Sequence, residues 1–126
     1  MAMQPRALEQ LQAFNIRTPA TLSSNSNTTG VNLSAIDADV VFVLNAGTSS
    51  TGTINAKLQH SLTLGGTYDD VTGGAFAQLT AAASTQKVTV DRSELRPFLR
   101  VSFSGLASSY SAAVSCVAVG GARYAS

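Results

Sequence analysis

His60 is the single histidine of the chain, and an imidazole that catalyses needs both a nucleophile and an orienting group. It falls on the apolar side of a strand-like run beside Leu58 and Leu62, where its nearest neighbours offer neither, so a histidine of the core or a sheet edge is expected. Cys116 stands between Val114 and Ala118, where a thiol behaves as a small hydrophobe. One Cys and one His exclude a disulfide within one chain and leave a Cys/His zinc site short of ligands. Asp69-Asp70 follows Gly65-Gly66 and could bind calcium, but adjacent strand residues point to opposite faces and no spaced acidic loop accompanies them. Asp37 and Asp39 could share a strand face; glycosidase chemistry, however, needs carboxylates across a sugar cleft, and there is no Trp to line one. The densest charge cluster is Asp91 to Arg100, alternating in sign, which reads as a bend held by ion pairs or, through Arg92 and Arg96, as a protein contact. Phosphate-loop, GxSxG and GxGxxG patterns are absent. The expectation is a chain with no catalytic residue, metal or cofactor.

The elements that position these residues are strands. The 126 residues fit one domain. Hydrophobic residues make up 44% but charged residues only 12%, about half the usual share, a balance that suits strands and turns better than surface helices. A formal net charge of +1 provides no field to steer nucleic acid or an anionic membrane, so neither is expected as a partner. No run of roughly 20 apolar residues spans a bilayer, and no secretory signal is visible, so a soluble protein made in the cytoplasm is expected.

Period-two alternation is clearest over Thr53 to Leu62, which places Ile54, Ala56, Leu58 and Leu62 on one face. Asp39 to Asn45 is apolar on both faces, as in a central strand whose second face is covered by another layer or a partner. Further strands are expected at Lys87 to Asp91, Phe98 to Ser104, and Ser111 to Val119, with a shorter pair at Thr67 to Val71 and Ala75 to Leu79. Turns are signalled at 46–52 and at Gly65-Gly66, Gly73-Gly74, Ser104-Gly105 and Gly120-Gly121. The fold class is all-β: an antiparallel β-sandwich, jelly-roll or immunoglobulin-like, over residues 31–126. Residues 1–30 read as a partly extended N-terminal arm, with one or two helical turns over 5–14 and a polar run at Ser24 to Gly30 that discourages regular pairing. Arg6, Leu8, Leu11, Phe14, Ile16 and Arg17 of this arm lie outside the sandwich pattern and are candidates for docking on a neighbour by strand addition.

Three segments carry a resemblance: Ala56-Lys57-Leu58-Gln59-His60-Ser61, Gly65-Gly66-Thr67-Tyr68-Asp69-Asp70-Val71 and Leu95-Arg96-Pro97-Phe98-Leu99-Arg100-Val101. Over residues 36 to 120 the chain resembles small β-sandwich structural proteins of tailed bacteriophages, in which a KLQ-S strand, a GG-Y-DV turn and a LRxxxRV strand recur. These motifs are structural. The resemblance implies a head decoration or cement protein on the virion surface, bound to the major capsid protein and assembled as a homo-oligomer, a trimer at threefold positions. Competing expectations are a neck, tail or head-fibre component and a glycan-binding module, the latter opposed by an aromatic content of 6%.

Overall fold

The computed structural model describes residues 11–122. Nine strands run in order: β1 (Leu11–Leu22), β2 (Ser26–Asn27), β3 (Val31–Asn32), β4 (Ile36–Ala46), β5 (Thr53–Ser61), β6 (Asp69–Ala75), β7 (Ser84–Val90), β8 (Phe98–Ala107) and β9 (Ala112–Ala122), with a short 3-10 turn at Arg92–Glu94. They form two antiparallel sheets, β1-β9-β4-β7 and β2-β8-β5-β6, with β3 also pairing β8. With β2 and β3 counted as one broken strand, the chain is a long ribbon folded on itself. β1 pairs β9, β2 and β3 pair β8, β4 pairs β7, and β5 pairs β6 at the tip. That nesting is a jelly roll; of the two sandwich types expected, the immunoglobulin-like order is excluded.

The inner faces follow the sequence pattern. Val40, Phe42 and Leu44 of β4 meet Ile54, Ala56 and Leu58 of β5, Leu99, Val101 and Phe103 of β8, and Val114, Cys116 and Ala118 of β9, all buried. Such alternation is what two sheets facing one core require.

Several expectations are corrected. From Leu11 to Leu22 the expected arm is an edge strand of the body, with Ile16 and Leu22 buried in the core. Its periodicity is hidden because register shifts between Asn15 and Arg17, and again between Arg17 and Ala20, break the alternation. Residues 11–14 are strand, not helix, and the rest of the 5–14 segment lies outside the described residues. The polar run does pair, over the two residues of β2, because its side chains complete the ladder. Thr28 accepts from the Val101 N–H at 3.0 Å and Asn25 from that of Leu106 at 2.9 Å. Leu62 is not inward: β5 ends at Ser61, and Leu62 is 70% exposed. Gly73-Gly74, Gly105 and Gly120-Gly121 lie within β6, β8 and β9 instead of in turns. At Gly120 the reason is space, since a Cβ there would sit 2.5 Å from Ile36 Cγ2. Ala75 to Leu79 is not a second short strand; Leu79 makes one bridge to Ile54.

Candidate interaction surfaces

The charged cluster and His60 meet at the end of the sandwich that holds the ribbon tip. Asp91 caps the 3-10 turn by accepting from Ser93 N at 3.0 Å, which swings Arg92 back towards β4. Its Nε donates to Ile36 O at 3.0 Å and a terminal nitrogen to Leu95 O at 2.8 Å. Arg92, a contact candidate from sequence, thus ties β4 to the end of the 3-10 turn that leads into β8. The next arginine, Arg96, pairs with Asp69 at 2.6 Å across the tip, and its backbone N–H donates to His60 Nδ1 at 3.2 Å. Both side chains of the ion pair are partly exposed, so it contributes at most about 1 kcal/mol.

Burial pushes the His60 pKa below its ordinary 6.5; the Arg96 charge lowers it further, and the Asp69 charge acts in the opposite direction. The unfolded chain therefore takes up a proton near pH 6.5 that the folded chain refuses until lower pH. Across that window the unfolded state binds more protons, and stability falls as the pH is lowered through it. Urea midpoints between neutral and mildly acidic pH should decline accordingly. His60→Asn, which keeps an acceptor near the Nδ1 position, should lack this part of the slope; an unchanged slope would refute the assignment.

On the outer face of the five-stranded sheet the polar side chains of β5 are knitted together. Gln59 Nε2 and Lys57 Nζ donate to the two oxygens of Asp70, at 2.9 and 3.1 Å, and lower its carboxyl pKa from the ordinary value. Arg100 donates to Gln59 Oε1 at 2.9 Å and lies 4.1 Å over the Tyr68 ring. Asp69 and Asp70 thus serve different cations, and among the described residues no cluster of three metal-binding side chains occurs. Beyond this network the β5–β6 loop carries Leu62 and Leu64, 70% and 52% exposed. The loop is fixed by Tyr68 Oη donating to Leu64 O at 2.8 Å and by Gly66 N donating to Thr63 O at 3.2 Å. Sequence reasoning missed both leucines; the available signal was their position against Gly65-Gly66, where a turn carries them out of the strand pattern.

The arm candidates divide. Arg6 and Leu8 lie outside the described residues. Leu11 opens β1 opposite Gly121. Phe14 packs half-buried against the core, and Ile16 is 5% exposed, so it is a core residue and not a free docking side chain. Arg17 is occupied at the bulge: Nε donates to Val114 O at 3.1 Å, a terminal nitrogen to Thr21 O at 3.1 Å, and the guanidinium lies 5.6 Å from the Phe103 ring centroid. Beside it, between β1 and residues 27–29, runs an open groove of about 360 Å³ lined by Asn15, Arg17, Thr18 and Asn27. Among the described residues β1 pairs on one side only, so its backbone groups along this groove form a sheet edge.

Cys116 is fully buried, and burial pushes its thiol up to about 12. It is expected to resist thiol reagents at mildly alkaline pH in the folded protein and to react at the rate of unfolding. Labelling at the rate of a free thiol in native buffer would contradict this placement.

No protein-family model matches the chain, and no curated protein matches it in sequence. Solved structures do share its fold. The SPBc2 prophage-derived protein YomS is similar over 87% of this chain and 93% of its own, at 12% identity and a TM-score of 0.55. A chain from the structure of infectious bursal disease virus Gx strain is similar over 86% of this chain, at 16% identity and a TM-score of 0.50. This chain spans about a third (32%) of that viral chain's length. At these identities the likeness is one of fold. None of the helices among the described residues is long and apolar enough to cross a membrane.

Proposed function

We propose that this chain is a structural protein of a tailed-bacteriophage virion, and within that class a head decoration protein that binds the assembled capsid. One observation carries the reading: among the described residues, His60, the arginines and the Asp69–Asp70 pair are engaged within the sandwich itself. His60 accepts from the Arg96 backbone, Arg92 and Arg17 bind carbonyls, and Lys57 and Arg96 pair with Asp70 and Asp69. What the exterior offers is adhesion: a hydrogen-bonded loop bearing two exposed leucines, an edge strand with one open side and a half-apolar sheet face. The viral and prophage-derived origins of the two structures that share the fold agree with such a role. A protein that binds the lattice better than loose subunits stabilises it by mass action, by roughly 2.7 kcal/mol per site at about 100 times Kd. Copies joined as a trimer would add avidity. Leu62 and Leu64 are the proposed anchors, since preformed apolar knobs lose little freedom on docking.

The test is binding to purified heads of the same phage that lack this chain. Saturable binding, in numbers comparable to the major capsid protein and with raised thermal resistance of the heads, is expected, and Leu62→Ser/Leu64→Ser should weaken it. Attachment of only a few copies would favour a neck or tail component, and no attachment would end the virion reading. For the N-terminal candidates, deletion of residues 2–10 is the informative truncation. Removing 2–20 takes away most of β1 and the core residue Ile16, so lost binding would then report unfolding.

A further inference from the structure

The two sheets differ on their outer faces. That of the five-stranded sheet is closed by the Lys57–Asp70–Gln59–Arg100 network. The four-stranded sheet instead presents Val41 and Val43 of β4 beside Val119 and Val117 of β9, all half-buried, with no third layer of secondary structure over them among the described residues. Four branched apolar side chains in a square, on strands that already have both lateral partners, need another surface.

We propose that this face docks on the same face of a second copy, about a two-fold axis that runs along the strands between β9 and β4. The register shows why the fit is to itself. One row across the sheet reads Ala13, Val119, Val41, Thr89, and the next on this face reads Asn15, Val117, Val43, Lys87. The two-fold axis lays β9 over β4 and β1 over β7 of the partner copy, apart from the ordinary offset of about 30° between packed sheets. Valine then meets valine in both rows, Ala13 meets Thr89, and the single charge of the two rows, Lys87, meets the amide of Asn15. No like charges oppose each other. A further row, Ser115, Asn45 and Thr85, supplies a polar rim, with Thr85 Oγ1 donating to Asn45 Oδ1 at 2.9 Å. Strand spacing and rise give a face of roughly 500 Å² per copy, or about 1,000 Å² in total, at the lower limit for a specific interface. The dimer is therefore reversible. It goes beyond the virion reading and stands or falls apart from it.

Sedimentation equilibrium of the full chain across the micromolar range tests the contact. The wild type should dimerise. Asn15→Lys should weaken the dimer about ten-fold or more, because each Lys87 then faces a lysine, a repulsion that occurs twice per dimer. Asn15→Lys/Lys87→Glu should restore it by exchanging repulsion for two ion pairs. Both positions are exposed, and matching thermal unfolding curves would confirm that the variants fold. A wild type that stays monomeric overturns the proposal, as does a dimer indifferent to Asn15→Lys, or one that the double variant leaves as weak as the single. Loss of capsid binding without loss of the dimer would bear on the virion reading alone.

Discussion

Phe42→Ala should lower the stability of the folded chain by about 3–5 kcal/mol, while Val43→Ala, one residue along the same strand, should cost less than about 1 kcal/mol in the monomer. Phe42 is fully buried at the centre of β4, between its register partners Val88 and Ala118, and its ring fills the space between the sheets. Truncation loses the transfer free energy of the ring and leaves a cavity that two sheets fixed by their ladders cannot close. Val43 projects from the other side of the sheet and gives up contact only with half-buried neighbours. Denaturant unfolding of the two variants at low protein concentration measures the difference directly. Equal losses would mean that the outer face is as tightly enclosed as the inner one.

Gly52→Ala is expected to cost about 3–4 kcal/mol, a large effect for the addition of one methyl group. Gly52 sits just before β5 with φ +89°, a conformation that penalises any L side chain. A Cβ there would also meet the Ala107 carbonyl oxygen and lie 2.6 Å from Tyr110 N and 2.8 Å from Tyr110 Cα, so the obstruction is backbone and cannot rotate away. Gly65→Ala serves as the control: nothing lies within 4 Å of its Cβ position and its φ is not in the left-handed region, so thermal unfolding should barely move. Equal shifts for the two substitutions would refute this explanation.

Much of the sandwich is visible in the chain before any pairing is known. Ile54, Ala56, Leu58 and His60 alternate without interruption, and β5 is found within one residue. The same pattern continues to Leu62, one step past the last rung, Ser61 opposite Phe98, because alternation alone carries no mark of where a partner strand ends. β1 escapes detection for the opposite reason: it has a partner throughout, but its bulges scramble the period that would announce it. Glycine signals a bulge and a turn alike, so Gly73 and Gly105 read as chain reversals although both stand inside strands. The arginine roles are out of reach by local reasoning, since Arg92 meets a carbonyl 56 residues away and Arg17 one 97 residues away. The choice between jelly roll and immunoglobulin order likewise depends on pairings that span most of the chain.

That nesting also sets a timetable for biosynthesis. Leu11 finds its rung opposite Gly121, so β1 emerges from the ribosome long before its partner β9. At roughly 5–20 residues per second the intervening chain takes about 5–20 s to synthesise. Throughout that interval β1 lacks its partner β9, and β4 lacks the same neighbour on one side. The tip pair, β5 with β6, is the most local and can form while translation continues, and the newborn polypeptide is most open to capture by chaperones or by its siblings until β9 is made.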